Sequence, residues 1–308
     1  MPNLFEWLFG KKEKKDQVPP VEVRDPDATV PLPQLPRAAP PDAQAAHVAE
    51  HPRRMTLGVA QDVGKVRGHN EDVLLVFTGE LGGLEAMPNL GLFIVADGMG
   101  GHSLGERASG IAARTVARAI LEQILPSLLA DPHADTERPL LKDVMESAMT
   151  TANAAVVSGV PEGGTTLTCA LVLGEQLILS HVGDSRAYII TDETFEQVTR
   201  DHSLVQRLKE LGQITTDEAL VHPQRSVLYR AVGQGEGLEV DVISRRLPSG
   251  AALLLCSDGL WGVVPDHRIL EVVRQAPSPQ AAVEELIVSA NAAGGPDNIT
   301  AVMVQLPG

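Results

Sequence analysis

Residues 92–101 read Leu-Phe-Ile-Val-Ala-Asp-Gly-Met-Gly-Gly, an apolar run that meets an acid and then three glycines. A short apolar run bounded by glycine suits a buried strand, and here it delivers Asp97 into a tight turn. Gly98, Gly100 and Gly101 let the backbone take positive φ or approach another chain segment closely. One Asp-Gly after a strand is ordinary turn chemistry, but this chain repeats the construction. Leu253 to Ser257 leads into Asp258-Gly259, and Leu179 to Gly183 leads into Asp184. Asp297 stands just before the run Asn298 to Val304, and Glu71-Asp72 just before Val73 to Val76. Carboxylates at strand ends can converge on one point. Unpaired, they repel one another and their pKa values rise unless a divalent cation sits between them. Oxygen ligands without thiols or imidazoles select a hard ion, Mg²⁺ or Mn²⁺.

The motifs that carry these acids occur in a fixed order. They are Arg67-Gly68-His69-Asn70-Glu71-Asp72, Asp97-Gly98-Met99-Gly100-Gly101-His102, Gly164-Thr165-Thr166, Gly183-Asp184-Ser185-Arg186, Ser257-Asp258-Gly259-Leu260-Trp261 and Gly295-Pro296-Asp297-Asn298. In order and content they resemble the metal-dependent Ser/Thr protein phosphatases of type 2C in their bacterial form, over residues 56 to 304. The resemblance implies an α+β fold, an αββα sandwich of two antiparallel sheets flanked by helices. It also implies hydrolysis of phosphoserine and phosphothreonine by a water at a binuclear Mn²⁺ or Mg²⁺ centre, with no phosphoenzyme. Asp97 is then the carboxylate shared by both ions, with the Gly98 carbonyl as a further ligand. Asp72, Asp258 and Asp297 complete the cluster, and Glu71 ranks lower, as a contributor through water. Asp184, together with Asp258, is the expected holder of a third ion; otherwise it caps the turn before Ser185. In animal relatives a histidine two residues after the shared aspartate is the candidate general acid. Met99 occupies that position here, and His102, three residues further on, does not inherit the role.

Arg67 precedes the acidic pair, and its planar fork suits a phosphate dianion. The alternative is a surface salt bridge. A cysteine-dependent phosphatase is excluded on spacing, because the positions six residues after Cys169 and Cys256 are Glu175 and Gly262. Both cysteines fall in apolar runs and read as small core residues in a reducing cytoplasm. A rival of another class is a non-catalytic phosphoprotein-binding or scaffold module on the same fold. A nearer one is a phosphatase dedicated to a single regulatory partner.

The net charge of −15 argues against a general nucleic-acid binder. No run reaches the ~20 apolar residues of a membrane span, and no leader-like segment opens the chain, so the cytoplasm is the expected location. Residues 1–15 carry Phe5, Trp7 and Phe9 followed by Lys11, Lys12, Lys14 and Lys15. They read either as a weak amphipathic contact for a membrane or partner, or as a plain chain end. Residues 16–52 are proline-rich with few large apolar side chains and read as a disordered linker. The phosphatase catalytic domain is expected over 53–308, acting on phosphorylated proteins that a Ser/Thr kinase has modified.

Within that domain, Val116, Ile120 and Ile124 predict a helix over 105–125. Leu141, Val144, Met145, Ala148, Ala152 and Val156 predict another near 140–157. Short connections between 167–173, 177–182 and 186–190 predict antiparallel strands. Further helices are expected at 203–211, 266–275 and 281–293, the last announced by Ser278-Pro279. The segment 201–233 resembles the flap that borders the metal site in this family.

Overall fold

The computed structural model describes residues 54–80, 88–101, 103–130 and 139–308. The expectations for the tail 1–15, the linker 16–52, the domain start at 53 and His102 lie outside the described residues. Two antiparallel sheets face each other. One has the order β1 (Thr56–Asp62), β11 (Ile299–Gln305), β10 (Ala252–Cys256), β7 (Arg186–Ile190), β8 (Phe195–Gln197). The other runs β2 (Asp72–Gly79), β3 (Leu90–Met99), β5 (Leu167–Leu173), β6 (Gln176–Val182), β9 (Asp241–Arg246), with the short β4 (Gly164–Thr165) on the end of β3. Helices α1 (Ser103–Leu129) and α2 (Leu141–Gly159) cover the second sheet. Helices α5 (Asp258–Trp261), α6 (Asp266–Gln275) and α7 (Pro279–Ala292) cover the first. This is the αββα sandwich expected of the motifs.

The period of two along each strand builds the three apolar layers. On β3, Leu90, Leu92, Ile94 and Ala96 face α1 and α2, whereas Phe93 and Val95 face the opposite sheet. On β10 and β11, Leu254, Cys256, Ala301 and Met303 face the helices, and Leu253, Leu255, Val302 and Val304 face inward. Each fully buried Leu, Ile or Val contributes roughly 1.5–3 kcal/mol, and a shift of register by one residue would exchange side chains between two differently packed layers and turn the inward-facing Asp97 toward the helices.

All the stripe residues that predict α1 and α2 are buried. Helix α1 extends further than its stripe, from Ser103 to Leu129 with Pro126 inside it. Helix α7 starts two residues earlier than expected, with the Ser278 hydroxyl accepting from the Ala281 amide at 3.2 Å. Strand β3 does not stop at Asp97 but continues to Met99, because Gly98 pairs with Thr165 and Met99 with Gly164. The flap contains α3 (Leu204–Glu210), capped by Ser203, and α4 (Thr216–Leu220), held by a Thr215–Glu218 capping box.

Candidate metal centre

The alternation that sorts the core also places the acids. Asp97 shares the inward face of β3 with Phe93 and Val95, and Asp72 shares that of β2 with Leu74 and Val76. The two aspartates are direct partners across the β2–β3 ladder. From the facing sheet, Ser257 and Thr300 continue the inward faces of β10 and β11. Their hydroxyls each donate to Asp72 Oδ2 at 2.7 Å. Asp72 Oδ1 is buried with no protein partner.

Asp97 is held through its backbone. Its N–H donates to Thr166 Oγ1 at 2.9 Å, and its carbonyl accepts from Thr165 Oγ1 at 2.9 Å and from the Thr166 amide at 2.8 Å. The next residue must be glycine for lack of room, since a Cβ at Gly98 would lie 2.3 Å from the Gly105 carbonyl oxygen of α1. Asp258 opens α5, and the glycine after it is packed just as closely: a Cβ on Gly259 would sit 1.9 Å from the Asn298 oxygen. Asp184 is buried, and its carbonyl accepts from the Trp261 indole N–H at 3.0 Å. Asp297 is partly exposed; its Oδ2 accepts from Arg67 Nη2 at 2.7 Å and its Oδ1 from the Asn298 amide at 2.8 Å.

Five of the acids picked out in the sequence therefore converge at one end of the two sheets. Glu71 is buried too, but its Oε1 lies 2.9 Å from His69 Nε2 and its Oε2 is packed against Gly105. Arg67 forms the salt bridge that was its alternative reading, yet lines the same cleft as Asp184, Asp258 and Asp297. Asn298, quoted only as part of a motif, is the hub of this corner. Its side chain accepts from the Glu71 amide at 2.8 Å and donates to the Val63 and His69 carbonyls at 2.9 Å each.

The convergence is electrostatically costly without a cation. Burial, then the charges of Asp72, Asp258, Asp184 and Asp297, push the Asp97 carboxyl well above the usual carboxylate range. Burial raises Asp72 to about 7 and, with the Asp297 charge, Asp258 to about 6. Asp184 moves the same way through burial and the Asp258 charge. The Asp258 charge is among those that raise the Asp97 carboxyl, which makes the two near neighbours. Two carboxylates that close require a shared proton or a cation. The orphaned Asp72 Oδ1 and the all-oxygen donor set fit Mg²⁺ or Mn²⁺. Among the described residues no three His, Cys, Asp or Glu side chains are closed into a ready coordination shell. Hard ions that retain several waters do not demand one. Both thiols are buried and pushed up by burial, so neither serves as a nucleophile.

Several supporting residues escape a reading based on acids. Thr165 and Thr166 stand out in the sequence only as part of a motif, yet they fix the Asp97 backbone. His202 is fully buried and binds the loop before Asp184. Its Nδ1 accepts from the Gly183 amide at 3.0 Å, and its own amide donates to the Gly183 carbonyl at 2.7 Å. Arg186 grips Asp201 with contacts of 2.7–3.2 Å and stacks 3.5 Å from the Trp261 ring. Thr165, Thr166 and Arg186 carry an advance signal only as members of the ordered motifs, and His202 only through its place in the segment 201–233.

The protein phosphatase 2C family model matches residues 64–299. The chain is 35% identical over 244 residues to a serine/threonine phosphatase stp of Listeria monocytogenes, an alignment covering 79% of this chain and 93% of the relative. The crystal structure of the Mycobacterium tuberculosis serine/threonine phosphatase PstP/Ppp superposes with a TM-score of 0.68 at 34% identity, over 82% of this chain and 99% of that one. A structure of the PstP catalytic domain in complex with two manganese ions gives a TM-score of 0.66 at 33% identity, with coverage of 82% and 99%. The family match from Gly64 to Ile299 takes in every acid of the cleft, and the chain belongs to the protein phosphatase 2C family.

Proposed function

We propose that the chain hydrolyses phosphoserine and phosphothreonine in proteins at a binuclear Mn²⁺ or Mg²⁺ centre, without a covalent phosphoenzyme. The observation that carries this reading is the convergence of five aspartates, among them Asp72 with a buried, unpartnered oxygen and three that line an open cleft, Asp184, Asp258 and Asp297. Asp97 would be shared by both ions, with the Gly98 carbonyl as one further ligand and Asp258, Asp297 and Asp72 around them; Asp184 with Asp258 would hold a third. When bound, such a pair supplies a water of lowered pKa and a clamp for the phosphoryl oxygens. Ser257 and Thr300 orient Asp72 through its other oxygen, and Thr165 and Thr166 fix the backbone of Asp97. Arg67 spends one of its five N–H donors on Asp297; the others are available to a phosphate dianion in the same cleft.

Among the described residues, those outside the family match contribute no acid to the cleft. Full-length protein and residues 53–308 are therefore both expected to release phosphate from a phosphothreonine peptide with added Mn²⁺, at rates within about twofold. Release by neither form at any Mn²⁺ or Mg²⁺ concentration would leave a non-catalytic binding module. Loss in the shorter form alone would move the domain boundary. Liposome flotation of the two forms also tests whether residues 1–15 contact membrane. The phosphorylated proteins are, on this reading, substrates of a Ser/Thr kinase in the cytoplasm. Among the described residues no helix is long and apolar enough to cross a membrane.

Arg67→Ala is expected to raise KM for phosphopeptides about tenfold, because a charge-assisted contact to phosphate contributes roughly 1.5 kcal/mol, with a smaller change in kcat. Steady-state kinetics at saturating Mn²⁺ check this. Unchanged KM and kcat would confine Arg67 to its ion pair with Asp297.

A further inference from the structure

The cleft is much larger than a phosphoryl group needs. Its cavity of about 710 Å³ extends from Asp184, Asp258 and Asp297 outward between the flap and the α5–α6 segment. A volume in this range accommodates a ligand of drug size, so residues beside the phosphorylated one must also fit.

The charges lining the cavity divide into committed and uncommitted groups. Arg67 is paired with Asp297 and Arg186 with Asp201. Asp184 and Asp258 belong to the metal centre. Two cations on the flap wall remain, Lys209 of α3 and Arg225 of the turn that follows α4. Among the described residues neither has a carboxylate within ion-pair distance, unlike Arg200, Arg230, Arg246 and Arg268, each of which has one. They stand on segments tied together, since the Leu204 amide at the start of α3 donates to the Val227 carbonyl at 2.8 Å. The turn itself is closed by the Arg225 amide on His222 and the Val227 amide on Gln224, at 3.1 Å each. Across the cavity the wall carries the apolar Trp261, Val263 and Pro265 together with His267, and its one carboxylate outside the metal centre and the Arg186 pair is Asp266. An anion entering this arm meets positive charge on the flap and negative charge opposite.

Resting on the phosphatase reading, we propose that Lys209 and Arg225 form a subsite for an anionic side chain near the phosphorylated residue, and that the enzyme prefers substrates whose phosphoserine or phosphothreonine is flanked by acidic or further phosphorylated residues. Carboxylate and phosphate share the chemistry that two such cations recognise, and the peptides below separate them. Because the subsite is open to solvent, its effect is moderate and screened by salt.

The test uses the full-length protein with Mn²⁺, a small chromogenic phosphate ester, and three phosphothreonine peptides that differ only in having neutral, glutamate or second-phosphothreonine flanks. At low salt the wild type is expected to show KM about three- to tenfold lower for the anionic peptides than for the neutral one, with similar kcat. The larger gain identifies the preferred anion. Lys209→Gln combined with Arg225→Gln should erase the difference while leaving the small ester and the neutral peptide unaffected, and Lys209→Arg with Arg225→Lys should preserve it. Equal KM for all three peptides in the wild type, or a preference that survives the double glutamine variant, overturns the subsite. A parallel loss on the small ester would move Arg225 onto the transferred phosphate and overturns it too. No turnover of any substrate would overturn the activity itself, a result distinct from turnover without discrimination.

Discussion

Asp97→Asn is expected to lower Mn²⁺-dependent turnover by more than about 100-fold while the domain stays folded. Losing a residue that merely supports a metal ligand costs about 10- to 100-fold. A ligand shared by two ions should therefore cost more. Asparagine preserves the shape of the side chain, and the Thr165 and Thr166 hydrogen bonds that fix this position go to the backbone rather than the carboxylate. The substitution also removes a charge that burial and four neighbouring aspartates already disfavour. Metal-free Asp97→Asn should accordingly melt no lower than the metal-free wild type, and should respond less to added Mn²⁺. Kinetics at saturating Mn²⁺ and parallel thermal unfolding check both halves. Turnover near the wild-type rate would remove Asp97 from the metal centre, and a collapsed melting temperature would make it a structural residue.

The metal-free protein is expected to lose stability as the pH rises, the reverse of ordinary acid denaturation. Asp72 and Asp258, raised to about 7 and about 6 in the folded chain, bind protons more tightly there than in the unfolded chain. Their contribution is complete below the ordinary carboxylate pKa of 3.8 and is lost as the pH climbs through about 6 to 7. Asp97 and Asp184 act in the same direction. His181 acts oppositely. Burial holds its pKa at about 3, against 6.5 for an ordinary histidine, so its contribution falls away as the pH drops below that ordinary value. His202, also lowered by burial, acts with it, and between about pH 6.5 and about pH 8 the two histidines offset part of the larger loss from the four carboxylates. In chelator the melting temperature should fall across this interval. Mn²⁺ at about a hundredfold excess over its Kd should add about 2.7 kcal/mol, or roughly 5–10 °C for a domain of this size, and more at the higher pH because no protons need be displaced. A melting temperature in chelator that is flat or rises over this interval would mean that the acids are not held together in the metal-free fold.

Some of this architecture follows from local pattern. Val116, Ile120 and Ile124 commit their segment to a helix with one buried face, and Leu92 to Ala96 commit theirs to a buried strand. In both cases the period of apolar side chains identifies the element. Asp97, Asp184, Asp258 and Asp297 stand out because each interrupts or borders such a run, and a charge at that place needs a reason. The ends of elements are less legible. The apolar run suggests that β3 stops before Asp97, but the ladder with β4 carries it to Met99, and pairing partners distant in sequence leave no local trace. Strand β9 is a half-exposed edge without a continuous apolar run, and α5 is only four residues long, so neither has a period to detect.

The sequence alone determined which chemistry was possible: several aspartates without a paired nucleophile, spaced along strands that alternate in and out. Only the tertiary structure decided which acids meet. Asp72 and Asp97 face each other because β2 and β3 pair in one register. Ser257 and Thr300 reach Asp72 because the second sheet packs against the first, and Glu71, one residue away, turns to His69. The physical reason is the alternation of side chains along a strand. Sequence fixes parity within each strand, but the face that becomes interior, and the strand end opposite it, depend on packing between sheets whose strands lie far apart in the chain.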